Sequence, residues 1–230
     1  MESYNPFFQL EVRYTPILDF TNFSRTLLAP YIKLTDRIGV DQENTFKETF
    51  QLISDKDKYL IAVNWDRIYL RGQGDITEME NDNSTVEQIF FQILGDILKY
   101  KEFAEIRSYL LFISTVWFPE DDSGNVSNIS HFTNNYIKSK ATNLLNSTTD
   151  MALELIYKGD QNETTLTLGP YFGLDDLQKR KAQPSFEVED FNLDREGQMA
   201  EIKIFERNNH FDFNKFKELV KIYREYYAKL

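Results

Sequence analysis

The chain has no cysteine among its 230 residues. That excludes disulfides, thiolate metal sites and cysteine nucleophiles together, and it fits a reducing compartment. Histidine is almost as scarce: His131 and His210 are the only two. A His-based metal site or a His-centred triad needs neighbours that this sequence does not advertise around them. There is no Gly-x-Ser-x-Gly elbow and no His-Glu-x-x-His helix. No apolar run reaches the roughly 18–20 residues of a membrane span. The opening Met1-Glu2-Ser3-Tyr4-Asn5-Pro6 has no basic stretch leading into an apolar one. The expected location is therefore the cytoplasm, with no membrane involved. With only 9 Gly and 6 Pro, the chain should be mostly regular elements joined by brief loops.

What is present is aromatic and acidic. Nineteen Phe, 13 Tyr and 2 Trp can supply an aromatic-rich core and leave rings over for a contact surface. The formal charge is −11, unevenly spread. Residues 1–125 hold 12 Lys/Arg against 21 Asp/Glu, a net of −9, and residues 126–230 hold 14 against 16, a net of −2. An acidic first half repels phosphate backbones, so nucleic acid is not an expected partner.

Periodicity places the elements. Phe7–Tyr14 reads as a strand, followed by a short helix carrying Phe20, Phe23, Leu27 and Leu28, with Asp19 at its start and Pro30 breaking it. Thr45–Ile53 and Tyr59–Leu70 read as a hairpin across the polar turn Asp55–Lys58. Ser84-Thr85-Val86-Glu87 is a capping box opening a helix to about Lys101. Ile106–Phe118, apolar on both faces, reads as a central strand covered on both sides. Pro119–Asn125 is the clearest break, which divides the chain into residues 1–122 and 123–230. The second half begins with a helix over Ser130–Leu145. Strands at Met151–Tyr157 and Thr164–Leu168 follow, then a hairpin of Phe186–Phe191 with Met199–Glu206, and a last helix after Asp212. The fold class is α+β: antiparallel or mixed sheets with helices on one face. The first half runs β-α-β-β-α-β, a ferredoxin-like order, and the second α-β-β-β-β-α. No repeat occurs at solenoid periods.

Three patterns invite chemistry, and each has a plainer account. Gly72-Gln73-Gly74 follows a strand, but Thr77 stands where a dinucleotide loop needs its third Gly. Asp190, Asn192, Asp194 and Glu201 have the spacing of a calcium loop, but Arg195 occupies the sixth place, where a sharp turn needs Gly. Lys179-Arg180-Lys181 is a short basic triplet in a near-neutral half. No catalytic residue, cofactor or metal is assigned. The one candidate surface is the final helix. Phe213, Phe216, Val220, Tyr223 and Tyr227 form a stripe that Leu219 and Tyr226 widen, enough for docking on its own core and for a protein partner or a second copy.

The first half also has family cadence. Asn5-Pro6-Phe7, Leu10-Glu11-Val12-Arg13-Tyr14, Phe50–Ser54, Tyr59–Leu70 and Glu105-Ile106-Arg107 resemble a sporadically distributed family of uncharacterised two-part α+β bacterial proteins. The resemblance implies patchy occurrence, of the kind seen for genes travelling with mobile elements or antiviral defence clusters. It carries over no functional residue. Three functions stay open: a non-enzymatic interaction module (subunit, adaptor, immunity or inhibitor protein of a bacterial or phage system), an enzyme with an unrecognised carboxylate site, and an acidic nucleic-acid mimic built on residues 75–82 and 120–122.

Overall fold

A computed structural model describes residues 2–76, 85–100, 105–118, 128–137, 150–179, 186, 191–212 and 214–230. Among these residues nine strands form one antiparallel sheet, with five helices, so the fold is α+β. The strands are β1 (Glu2–Tyr14), β2 (Arg37–Asp41), β3 (Thr49–Ser54), β4 (Tyr59–Val63), β5 (Arg67–Gly72), β6 (Ile106–Phe118), β7 (Leu153–Lys158), β8 (Asn162–Tyr171) and β9 (Gly197–Arg207). The helices are α1 (Phe20–Ile32), α2 (Thr85–Tyr100), α3 (Asn128–Tyr136), α4 (Leu174–Lys179) and α5 (Lys215–Tyr227), with a 3-10 turn over Phe191–Asp194. The order across the sheet is β2-β3-β4-β5-β1-β6-β9-β8-β7.

That order is two copies of one plan. In each, a strand leads into a helix, a meander returns to pair with that first strand, and a helix follows. The first copy is β1-α1-β2-β3-β4-β5-α2, and the second is β6-α3-β7-β8-β9-α5 with α4 inserted before β9. The two opening strands, β1 and β6, pair antiparallel at the centre, Leu10 facing Leu111 and Val12 facing Tyr109. One sheet thus runs through both halves. The sequence break at Pro119–Asn125 lies outside the described residues.

The alternation of side chains divides the sheet into two unlike faces. Leu10, Val12, Ile61, Ile68, Leu70, Leu111, Ile113, Ile202 and Ile204 share one face and are fully or almost fully buried under α1, α2 and α5. Trp117, Leu168 and Ala200 continue it beneath Phe132 of α3. The opposite face is covered at its ends. Leu177 of α4 and Leu193 pack on Val116, Phe118 and Met199, and Phe186 packs on Ile53, Leu60 and Ala62. Between them lies a polar ladder. Buried Glu11 accepts from Arg13 Nε (2.6 Å) and Gln9 Nε2 (2.8 Å), and Arg71 Nε donates to Gln9 Oε1 (2.7 Å) while its guanidinium lies 4.7 Å from the Tyr69 ring.

Several sequence expectations change here. Tyr59–Leu70 is not one strand. Asn64 Oδ1 accepts from the backbone N–H of Asp66 and Arg67 (both 3.1 Å), an Asx-type turn that folds the run into the β4–β5 hairpin. The helix carrying Phe20 continues through Pro30 to Ile32, since in the last turn proline forgoes a single bond. The strand expected from Thr45 begins at Thr49, because Gln42 and Asn44 adopt φ of 51° and 62° and turn the chain first. Of the strand expected over Phe186–Phe191, residues 187–190 lie outside the described residues; its expected partner β9 has β6 and β8 on its two edges, and Phe191 belongs to the 3-10 turn. β6 is covered on one face along its length and on the other only towards its end, where Val116 and Phe118 are buried; Leu110 and Phe112, in the middle of that second face, are half-buried.

The core is rich in tyrosines, which gives it a pH limit. Burial pushes the Tyr109 hydroxyl up to about 12 from an ordinary value near 10. Burial also raises Tyr14, with the Asp66 charge adding to it. A raised folded pKa means that the fold holds the neutral form. Its contribution is full below about pH 10 and is lost as pH climbs towards about 12. Tyrosinate absorbance and circular dichroism should therefore change together in that window. Ionisation of all tyrosines near pH 10 with an unchanged melting temperature would contradict it.

Candidate interaction site

The final-helix stripe is spent on the protein's own core. Phe216, Leu219, Val220 and Tyr223 are buried; the Phe216 ring lies 5.3 Å from Phe90 and 6.0 Å from Tyr109. Tyr223 Oη and Thr115 Oγ1 share a hydrogen bond of 2.6 Å, and Asn5 Nδ2 donates to the same phenol (3.2 Å). Burial raises the pKa of Tyr223 above its ordinary range. Tyr227 stacks on Tyr223 at 6.0 Å and meets Trp117 edge-on at 6.1 Å. Tyr226 and Tyr227 both pack, half-buried, against the core. Phe213 lies outside the described residues.

The other patterns find local roles. Gly72 lets the Phe8 ring approach: a Cβ there would fall 2.3 Å from its Cζ. Gln73 Oε1 accepts the Phe186 N–H (2.8 Å). Of the calcium-like spacing, Asp190 lies outside the described residues, Asp194 ends the 3-10 turn and Glu201 sits in β9; the Arg195 guanidinium lies 3.9 Å from the Phe118 ring centre. Among the described residues no three His, Asp or Glu side chains gather as metal ligands. His131 bonds Asn135 (3.0 Å), and the His210 carbonyl accepts the Tyr109 hydroxyl (2.8 Å). Arg180 and Lys181 of the basic triplet, residues 77–82 of the acidic run and residues 120–122 lie outside the described residues. No helix among the described residues is long and apolar enough to cross a membrane.

What remains open is an edge. α1 buries Phe20, Phe23, Leu28 and Tyr31 at helical spacing, and Tyr31 Oη donates to Asp96 Oδ2 of α2 (2.6 Å). The chain then turns into β2, which among the described residues pairs only with β3. Between α1, β2 and β3 runs a crevice of about 320 Å3 lined by Leu28, Ile32, Ile38, Val40, Phe50 and Leu52. At its rim Arg25 Nη2 lies 3.3 Å from Glu43 and 3.9 Å from buried Glu48. Glu48 also accepts the Asn44 N–H (2.8 Å), so this cluster fixes the turn after β2 and holds the crevice mouth. Ile38 and Val40 are 53% and 40% exposed. The volume sits at the lower end of ligand clefts, about 300–1,000 Å3, and the lining is almost wholly aliphatic and aromatic. Such a surface suits apolar side chains, with Arg25 and Glu43 paired at its rim. No protein-family model, no curated protein and no solved structure matches the chain.

Proposed function

We propose that the chain is a non-enzymatic protein-interaction module: a subunit, adaptor, immunity or inhibitor protein of a bacterial or phage system, within which antiviral defence is one setting. The observation that carries this reading is the open β2 edge backed by the apolar crevice. An extended partner segment can add to β2 through main-chain hydrogen bonds and place an apolar side chain against Ile38, Val40 and Phe50. The first 125 residues carry a net charge of −9, so the matching segment has basic flanks.

The test replaces Ile38 by Lys. At an exposed position this should leave stability within about 0.5 kcal/mol, while charge at the crevice mouth removes the docking site. Capture from the native host with wild type as bait should yield a stoichiometric protein that Ile38→Lys no longer retains. An identical captured set from both baits would mean that β2 is not the docking edge.

A further inference from the structure

We propose that β7, at the opposite end of the sheet, pairs with β7 of a second copy of this chain. The pairing is antiparallel about a two-fold axis at Ile156, joining two nine-stranded sheets into one. This surface is independent of β2, and it stands on its own observations.

β7 is the last strand of the order and, among the described residues, is hydrogen-bonded to β8 alone. Three consecutive large apolar residues lie on it, Leu155, Ile156 and Tyr157, at 52%, 53% and 58% exposure. Because successive side chains alternate, this apolar surface occupies both faces of the edge, unlike β2, where Ile38 and Val40 share one face. Native sheets seldom leave such an edge uncovered.

The occupant is written in the strand itself, Leu153-Glu154-Leu155-Ile156-Tyr157-Lys158. Turned on itself at Ile156, it sets Glu154 opposite Lys158, Leu155 opposite Tyr157, and Ile156 opposite its own copy. Opposite charges and aliphatic–aromatic neighbours are the cross-strand pairs that stabilise antiparallel sheets. Sliding the axis to Leu155 sets Glu154 against Ile156, and sliding it to Tyr157 sets Lys158 against Ile156, so one register satisfies all the pairs. The axis stands perpendicular to the sheet, which keeps the helices of both copies on the same side. Within one chain Lys158 Nζ lies 3.5 Å from exposed Glu163; such a pair is weak and does not compete strongly. Two six-residue strands make an interface below about 1,200 Å2, so the dimer should exchange with monomer in the micromolar range.

Sedimentation of the full chain from about 1 to 200 µM, a span that brackets micromolar dissociation, reads the proposal. Wild type should shift from monomer to dimer. Ile156→Lys should weaken association at least tenfold, as loss of a central contact typically does, with its melting temperature unchanged. Glu154→Lys and Lys158→Glu should each weaken it, since one chain then carries two β7 cations and the other two β7 carboxylates. Mixed in equal amounts, these two variants should associate again, because each β7 cation of one chain then faces a β7 carboxylate of the other. A wild type monomeric throughout, a dimer surviving Ile156→Lys, or a mixture no heavier than its components would each overturn the proposal. So would a dimer lost with Ile38→Lys and kept with Ile156→Lys, which would assign self-pairing to β2. Failure here leaves the β2 reading standing, because that reading is judged on the captured partner and not on mass.

Discussion

Replacing Leu111 by Asp is expected to leave no cooperatively folded protein. Leu111 is completely buried in the middle of β6, with Leu10 opposite on β1 and Ile204 opposite on β9. Removing the side chain alone costs about 2–5 kcal/mol. The carboxylate that replaces it falls inside the buried apolar cluster that holds Leu10, Ile113, Ile202 and Ile204, which adds several kcal/mol more. A domain holds only about 5–15 kcal/mol in total. Phe112, the next residue, is the control. It points to the other face, half-buried, with its ring 5.6 Å from Phe7 and Lys203 as its neighbour on β9. An aspartate there reaches water and a lysine, so Phe112→Asp should cost about 1–3 kcal/mol and still melt cooperatively. Circular dichroism melts of the pair decide the matter: equal damage from both variants would mean that the two faces of the sheet are not as unlike as described.

That contrast marks how far the sequence could be read. The span of β6 was legible to the residue because thirteen residues without a break signal can hardly be anything but one long strand. Which face would be covered was not. An apolar run on a strand is read as buried on both sides, whereas Leu110 and Phe112 help to fill a half-solvated face between the polar ladder and the covered ends. α2 was legible from Ile89, Phe90, Ile93, Leu94 and Ile97, all buried at helical spacing. β2 was missed. Arg-Ile-Gly-Val-Asp has two apolar residues around a glycine, and an edge strand needs no stronger pattern because one neighbour suffices. Its period-two alternation was the only available signal. The self-complementary order of β7 stands in plain view in the sequence, but it has meaning only once the topology puts that strand at an edge. The repeated plan was hidden for a related reason: four meander strands in one copy and three in the other leave no fixed period.

The final helix was legible as an amphipathic helix, and its destination was not, because a stripe that docks on its own core looks the same as one that docks on a partner. The structure makes a strong demand of it. Truncation before Asn214 removes Phe216, Leu219, Val220 and Tyr223, all buried. It uncovers Phe90, Phe91, Tyr109 and Trp117 and leaves Asn5 and Thr115 without the Tyr223 hydroxyl. Each large apolar truncation costs about 2–5 kcal/mol, so four together exceed the whole stability of a typical domain. The shortened chain should therefore lose its cooperative melt and its near-ultraviolet dichroism and expose apolar surface to a hydrophobic dye. A single substitution grades the same claim: Phe216→Ala should lower stability by about 3–5 kcal/mol, since its ring is the common neighbour of Phe90, Phe91 and Tyr109. A truncated chain that still melts like wild type would show that α5 is a detachable arm, and the stripe of Phe216, Val220, Tyr223, Tyr226 and Tyr227 would then return as a surface for a partner.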